Sequence, residues 1–276
     1  MRIQYYAFIF FIHFAGHCQL RIEHEFWNGH FSSGEIISNV LKLEDGSIVE
    51  NNIVVSSLEF YKPEKPNGTA VLLIHGGGMY VLFSEVQGVK VAEWLNKQGI
   101  SVFLFRHLLK KSQTGSPVQD LIKNFSLKSD YKRVLADSVF LKAASDAGQA
   151  LKYLRECSED FGVRPDKIGL MGFSTGAALG LELYKSKSKS AWPDFLIRLN
   201  GFSDDKRKFS SSTSFFIASI SDTPFDETSQ SIKLYGNISS SNAAVELHVY
   251  NKTAEDNTDS RWRKDLEFWL AKLKEN

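Results

Sequence analysis

The residues best suited to covalent chemistry surround one serine, in the segment Gly172-Phe-Ser-Thr-Gly176. The apolar stretch Lys167–Phe173 predicts a strand that ends at this segment, and Thr175–Lys185 predicts a helix that follows it. A sharp turn between a strand and a helix exposes a serine hydroxyl, and flanking glycines leave room for chains that cross there. The helix N-terminus favours negative charge that develops nearby. Ser174 is therefore a candidate nucleophile for acyl transfer.

A second glycine-rich segment, His75-Gly-Gly-Gly78, follows a short apolar run that predicts a buried strand. Glycine amides approach a substrate closely, and such a loop donates a hydrogen bond to the oxyanion of an acyl-transfer reaction. The residue after the nucleophile donates another. We therefore predict an oxyanion hole formed by Gly77, Gly78 and Thr175. His75 is better explained as a residue that stabilises the loop than as a general base.

A candidate acid follows another apolar strand. Asp222 comes directly after the stretch Phe215–Ile220 and Ser221. In hydrolases with a Gly-x-Ser-x-Gly turn, the triad acid lies between the serine and the histidine in the chain. Asp222 is predicted to orient the catalytic imidazole, and Asp226 is its nearest rival. The structural alternative for Asp222 is a helix N-cap.

The elements that would position these residues alternate along the chain. Short unbroken apolar runs alternate with helical patterns such as Glu85–Lys97 and Phe140–Arg155. This alternation predicts an α/β-hydrolase fold, with a mostly parallel, doubly wound sheet and helices on both faces. Residues 19–276 are predicted to form a single domain. The rhythm breaks at residues 110–138, a polar stretch predicted to be a lid or insertion over the carboxyl ends of the strands.

The N-terminus has the pattern of a signal peptide. Arg2 precedes the apolar run Tyr5–Phe14, and small residues follow. The run is too short to span a bilayer permanently. We predict that residues 1–18 are removed, that the mature protein is secreted or periplasmic, and that it has no stable membrane insertion. A lipid anchor on Cys18 and a buried N-terminal strand are the alternatives.

Net charge and the spacing of cysteine and histidine limit the classes of partner that this chain is expected to bind. The 276 residues carry a formal net charge of +1, so no strong field points to a nucleic acid. The two cysteines and seven histidines do not occur at metal-ligand spacing, so no metal or cofactor is expected. The predicted partner is a small ester or an acylated carbohydrate.

These segments together resemble the acetylxylan-esterase and feruloyl-esterase-like α/β-hydrolases of polysaccharide-degrading bacteria. The resemblance covers nearly the whole chain after the predicted signal peptide. It implies hydrolysis of esters on acylated plant-type glycans, with Ser174 as nucleophile and Asp222 as triad acid. The segments that carry it include Asn67–Gly78, Val91–Ile100, Asp146–Arg155, Arg164–Ser174 and Glu246–Tyr250.

The chain departs from this family at the catalytic histidine. After the last strand the family has a lysine, two glycines, the histidine and a glycine, whereas this chain has Lys252-Thr-Ala-Glu-Asp256. Glu255 therefore stands at the family's histidine position. A glutamate with its ordinary pKa near ~4.3 is a far weaker base than histidine at neutral pH. Loss of a triad member typically leaves ~10³–10⁴-fold acceleration over water.

Another histidine would have to replace the missing base. His248 is the nearest alternative, but it precedes Glu255 by seven positions, which corresponds to ~23 Å of extended strand. His107, after another strand, is a weaker candidate. Two hypotheses remain: a serine hydrolase that removes acyl groups from a carbohydrate, and a catalytically impaired pseudoenzyme that binds a ligand or partner. A peptidase of related fold is disfavoured because no additional gating domain is present.

Overall fold

The structure is a computed structural model that describes residues 38–126, 131–203, 209–221, 227–251 and 261–275. Within these ranges the strands are β1 (Asn39–Lys42), β2 (Ile48–Asn51), β3 (Ser57–Tyr61), β4 (Ala70–Ile74), β5 (Ser101–Arg106), β6 (Ile168–Phe173), β7 (Phe195–Leu199), β8 (Ser214–Ile220) and β9 (Ala244–Tyr250). The α-helices are α1 (Lys90–Asn96), α2 (Pro117–Ser126), α3 (Tyr131–Leu135), α4 (Ser138–Glu156), α5 (Thr175–Glu182), α6 (Glu227–Ser239) and α7 (Arg261–Glu275).

The main sheet has seven strands in the order β3-β5-β4-β6-β7-β8-β9. Strand β3 pairs antiparallel with β5, and every other neighbouring pair is parallel. The carboxyl ends of the parallel strands therefore meet at one edge of the sheet, where ligands bind in such folds. Strands β1 and β2 form a separate antiparallel pair.

Helices cover both faces of the sheet because its central strands are apolar on both sides. Successive residues of a strand point to opposite faces, so Leu72 packs into one core with Phe140 of α4, and Leu73 into another with Leu95 of α1. The second core also contains Leu266 of α7. Strands buried on both faces and covered by helices confirm the predicted α/β fold class.

The predicted helix over Glu85–Lys97 is present in two parts. A π-helical turn spans Ser84–Val89, and α1 continues from Lys90. A side chain at Gly88 would have no room there, because its Cβ would lie 2.5 Å from His75 Nε2. Single π-helical turns of this kind occur often beside functional sites.

Residues 110–138 are not a structureless loop where they are described: they include α2 and α3. Leu121 of α2 packs with Tyr80 and Val81, which follow β4. Tyr131 of α3 has its ring centroid 5.9 Å from that of Phe202, which follows β7. The segment therefore contacts two loops at the carboxyl edge of the sheet, and its role as a lid stays a prediction.

Residues 1–18, predicted to be a signal peptide, lie outside the described residues. Across the described ranges, no helix combines the length and apolar character that a membrane crossing requires.

Candidate active site

The turn at Ser174 joins β6 to α5 in a conformation that is rare for serine. Ser174 has φ 49° and ψ −113°. A non-glycine residue in such a conformation costs about 1–3 kcal/mol and persists only where its surroundings hold it. The Ser174 N–H donates to Leu199 O at 3.0 Å, and Ala178 N–H donates to Ser174 O at 3.1 Å. Strand β7 and helix α5 thus hold the strained residue from both sides.

The two glycines that flank this turn are required by close chain crossings. A Cβ at Gly172 would lie 2.5 Å from Ala177 N. A Cβ at Gly176 would lie 2.5 Å from both Ile74 O and His75 O. Helix α5 can therefore begin directly beside β4 and β6 only if both positions lack a side chain.

The glycine loop after β4 packs directly against the serine. A Cβ at Gly76 would lie 3.1 Å from Ser174 Cβ. The Gly78 N–H donates to Thr175 Oγ1 at 3.3 Å, so the structure brings Gly77 and Gly78 beside Thr175. The amide of Thr175 begins α5 and has no acceptor within the helix. The predicted oxyanion residues and Ser174 therefore share one edge of the sheet.

Two of the three described histidines are buried beside this loop. His75 is fully buried, and burial, with the charge of Arg106 and then His107, lowers its pKa to about 3. His107 is also fully buried, with Nδ1 2.9 Å from Leu108 O, and burial lowers its pKa to about 4. Both imidazoles are therefore neutral at physiological pH.

The third described histidine, His248, lies within β9 and pairs in register with Ala218. Its ring stacks on Phe216 at 4.8 Å, and its Nε2 and Nδ1 lie 3.4 Å from Glu246 Oε2 and 3.6 Å from Asp265 Oδ2. Strands β7 and β8 separate β9 from β6, a lateral distance of ~14 Å at ~4.8 Å per strand. The structure therefore does not bring His248 to Ser174.

The remaining predicted site residues, Asp222 and Glu255, lie outside the described residues, as does the rival Asp226. The chain reaches the first of these from the carboxyl end of β8. Ser221 N–H donates to Tyr250 O at 2.8 Å, at the ends of β8 and β9. Ser221, the residue before Asp222 in the chain, thus lies at the sheet edge that carries Ser174. The other four histidines belong to residues 1–37, which are also outside the described ranges.

Sequence reasoning missed the loop after β7. Asn200 has φ 57° and Gly201 φ 94°, and a Cβ at Gly201 would lie 2.5 Å from Ser174 O. Asn200 Oδ1 accepts a hydrogen bond from Ile220 N at 2.8 Å, which ties this loop to β8. An Asn-Gly pair directly after an apolar strand was the available signal, since both residues adopt positive φ readily.

The described part of the chain contains no cluster of three or more metal-ligating side chains. A groove of about 340 Å³ in the described part of the chain lies at the opposite edge of the sheet from Ser174. Residues that precede the parallel strands line this groove, among them Thr69, Lys167, Asp194 and Thr213.

Comparisons with known proteins agree with this fold. Residues 107–224, which contain Ser174, match the family model described as BD-FAE. A 137-residue stretch is 26% identical to an acetylxylan esterase of Xylanibacter ruminicola, and the match covers 50% of this chain and 23% of that protein. The chain thus spans about a quarter of the length of that curated relative.

Solved structures are similar over almost their whole length. A sugar hydrolase (YeeB) from Lactococcus lactis has a TM-score of 0.60 at 12% identity, covering 87% of this chain and 99% of the other. An acetyl ester-xyloside bifunctional hydrolase from Caldicellulosiruptor lactoaceticus has a TM-score of 0.56 at 16% identity, covering 91% and 96%. Esterase 2 of Thermogutta terrifontis has a TM-score of 0.56 at 15% identity, covering 88% and 96%.

Proposed function

We propose that this chain, an esterase-like protein with the α/β-hydrolase fold, hydrolyses carboxylic esters through Ser174 and acts on an acylated carbohydrate. The observation that carries the proposal is the strained turn at Ser174, with φ 49°, enclosed by the glycine loop after β4. A chain does not need a strained serine merely to join a strand to a helix. Such strain is typical of residues whose position serves chemistry.

The proposed reaction proceeds in two steps. Ser174 Oγ attacks the ester carbonyl carbon and gives its proton to a general base, while the amides of Gly77 and Thr175 stabilise the oxyanion. The base returns the proton to the departing alkoxide as the carbon–oxygen bond breaks, leaving an acyl-serine. Water then attacks the acyl-serine by the same route and releases the carboxylic acid.

The general base is the group for which the described residues offer no histidine beside Ser174. None of the three described histidines donates to or accepts from Ser174 Oγ, and the position of the family's histidine carries Glu255. We propose that Glu255 acts as a feeble base, because a glutamate with its ordinary pKa near ~4.3 accepts a proton only weakly at neutral pH. We therefore propose slow ester hydrolysis with Ser174 as nucleophile.

The carbohydrate part of the proposal rests on the relatives. One is named as an acetylxylan esterase and a structural neighbour as an acetyl ester-xyloside hydrolase. An acetyl group on a plant-type glycan is therefore the substrate class to test first. The N-terminal apolar pattern supports a location outside the cytoplasm, where such glycans occur.

The test is the hydrolysis of p-nitrophenyl acetate and of acetylated xylo-oligosaccharides by the wild type, Ser174→Ala and Glu255→His. We expect wild-type turnover below ~1 per second, abolished by Ser174→Ala and raised by Glu255→His. Glu159→His places an imidazole on an exposed residue and serves as the matched control. Wild-type turnover of ~1–10³ per second, lost in Ser174→Ala, would show that an efficient base is present and contradict the proposed slow reaction.

A binding protein without turnover is the second candidate. The observation that favours it is that no described imidazole reaches Ser174, although the glycine loop after β4 contacts Thr175. Absence of Ser174-dependent turnover in both wild type and Glu255→His, together with saturable binding of acetylated xylo-oligosaccharides, would establish it.

A further inference from the structure

An arginine lies in the middle of the buried sheet beside the active-site edge. Arg198 in β7 has no exposed surface. Its Nη1 donates to Ser231 Oγ at 2.6 Å, and its Nη2 donates to Gly201 O. An arginine is an unusual residue in a central strand, because desolvating its charge is costly unless the charge is paired.

A buried carboxylate that favours the charged form of Arg198 belongs to Glu227, the first residue of α6, which is 5% exposed. Arg198 and Glu227 are termed the ionic couple because both side chains bind Gly201. Glu227 Oε1 accepts a hydrogen bond from Gly201 N at 2.8 Å. Ser231 connects Arg198 to the backbone of α6, since its hydroxyl accepts from Arg198 Nη1 and donates to the backbone carbonyl of Glu227 at 2.7 Å. Both backbone polar groups of Gly201 are therefore held by buried ionic side chains.

Gly201 in turn lies against the nucleophile. A Cβ built on Gly201 would lie 2.5 Å from Ser174 O and 3.3 Å from Ala177 Cβ. Two residues earlier, Leu199 O accepts the Ser174 N–H. The segment from Leu199 to Gly201 thus contacts both peptide groups of Ser174, and the ionic couple fixes the end of that segment.

The ionic couple fixes the position of Gly201 more than it stabilises the fold. Burial lowers the pKa of Arg198 to about 10, and the Glu227 carboxylate opposes that shift, so Arg198 remains a cation at neutral pH. Apolar residues of similar volume often stabilise a protein as well as a buried ion pair does. Apolar side chains, however, would not bind the N–H and C=O of a glycine in the left-handed conformation.

We infer that Arg198 and Glu227 are positioning residues that hold Gly201 against Ser174 and thereby maintain the strained conformation of the nucleophile. This inference rests on the proposed role of Ser174 in ester hydrolysis. It adds to that role a pair of charges that touch neither substrate nor the reacting atoms. A misplacement of the nucleophile by about 1 Å is enough to cost ~10²-fold in rate.

The test compares Glu227→Gln with Glu59→Gln. Glu59 in β3 is 7% exposed, and its Oε2 pairs with Arg106 Nη1 at 2.6 Å. Strands β5 and β4 separate it from β6. Both substitutions remove a buried carboxylate that stabilises a buried arginine, and Arg106 keeps its ion pair with Glu50 at 3.0 Å, so both are expected to lower the Tm, Glu59→Gln by less. Only the first loosens the segment behind Ser174, because the amide oxygen that replaces the carboxylate is an uncharged and weaker acceptor for Gly201 N–H and no longer attracts Arg198.

Three experiments are performed below the Tm of every variant. They measure the steady-state kinetics (kcat and KM) for p-nitrophenyl acetate, the rate of Ser174 labelling by a fluorophosphonate, and hydrogen exchange over residues 199–203. For Glu227→Gln we expect kcat and the labelling rate to fall by about 10- to 100-fold with KM within about twofold, and faster exchange in that segment. Glu59→Gln is expected to keep wild-type values in all three. Wild-type kcat in Glu227→Gln, or an equal kcat loss in Glu59→Gln, would overturn the inference.

The exchange measurement separates this inference from the proposed function. A wild type that neither hydrolyses the ester nor reacts with the fluorophosphonate would refute the proposed function alone. Unchanged exchange over residues 199–203 in Glu227→Gln would refute the positioning role alone. Where Glu227→Gln does not fold, Ser231→Ala removes the acceptor of Arg198 Nη1 while leaving both charges, and the same changes are expected at smaller size.

Discussion

The two edges of the main sheet differ in the residues that adopt unusual backbone conformations. At the carboxyl edge, Met79, Ser174 and Asn200 follow β4, β6 and β7 with φ of 69°, 49° and 57°. At the amino edge, positive φ occurs at Gly99 before β5 and at Asn242 before β9. Glycine and asparagine adopt that conformation at low cost, whereas methionine and serine do not.

The amino edge carries a groove in which polar side chains bind one another and the backbone. Its groove of about 340 Å³ includes Asp194, whose Oδ2 lies 3.0 Å from Arg155 Nη1 and accepts from Ile168 N at 2.8 Å. At the carboxyl edge, glycines hold the loops in contact with Ser174, and buried charges hold Gly201. Backbone strain and close chain packing therefore distinguish the candidate site at the carboxyl edge from the groove at the amino edge.

The largest expected effect comes from adding one methyl group at the carboxyl edge. Gly176→Ala would place a Cβ 2.5 Å from two backbone oxygens of β4 and the glycine loop. We expect a loss of about 3 kcal/mol or more in unfolding free energy, or failure to fold, because backbone atoms cannot move aside cheaply. Urea denaturation of the wild type and of Gly176→Ala measures this loss of unfolding free energy. Gly236→Ala in α6, where no atom lies within 4 Å of the added Cβ, is the control and is expected to be stabilising by about 0.5–1 kcal/mol.

The second effect is a dependence of stability on pH that arises at the carboxyl edge. His75 and His107 have folded pKa values of about 3 and about 4, below the ordinary 6.5, so the unfolded chain binds more protons in the window between. The free energy of unfolding therefore falls as the pH falls through this window, by up to about 1.4 kcal/mol per pH unit for each histidine. Urea unfolding at pH 7 and pH 5 measures the slope, and His107→Asn is expected to reduce it by about half. A stability that is equal at the two pH values would contradict the buried neutral pair.

The third effect tests the amino edge. Asp194→Ala removes the acceptor of Ile168 N–H and the partner of Arg155, so we expect a loss of about 1–2 kcal/mol in unfolding free energy. The rate of Ser174 labelling by a fluorophosphonate is expected to stay at the wild-type value, because the sheet separates this edge from the nucleophile. A labelling rate that falls with Asp194→Ala would show that the amino edge and the nucleophile are coupled, contrary to this expectation.

The strained turn and the glycine loop at the carboxyl edge could be predicted from the sequence, because each is specified by residues that are close together in the chain. The segment around Ser174 combines an apolar strand, two glycines and a helix within a few positions, and the period of the pattern changes at the serine. The glycine loop at residues 75–78 is likewise specified by neighbouring residues, since it directly follows an apolar strand. Helix α2 was missed although Pro117 opens it, a residue favoured at the first helical position, because residues 110–138 are too polar for a clear apolar stripe.

The Arg198–Glu227 couple could not be predicted from local pattern. An arginine within an apolar stretch shows only that its charge needs a partner, and the partner begins a helix that lies beyond β8 in the chain. Likewise, nothing in the sequence shows that His248 faces Phe216 and Asp265 at β9, since that depends on the register of β8 with β9. Pairings between distant segments are set by tertiary packing, which periodicity does not report.

The smallest expected effect comes from a substitution that relieves the backbone strain at Ser174. Ser174→Gly removes both the hydroxyl and the steric penalty of φ 49°, ψ −113°, a conformation that glycine adopts readily. Relief of about 1–3 kcal/mol of strain is opposed by about 0.5–1 kcal/mol of added chain entropy in the unfolded state, so a net gain of about 1 kcal/mol is expected. Ser174→Ala removes the hydroxyl and keeps the penalty.

The difference in unfolding free energy between these two variants, from urea denaturation, therefore reports the strain without the chemistry. Asn242→Gly, at a residue with φ 58° on the amino edge, is the matched control and is expected to change stability by less, because asparagine already tolerates that conformation. A Ser174→Gly variant that is less stable than Ser174→Ala would mean that the turn holds no strain at the serine. The distinction between the two edges would then rest on glycine packing alone.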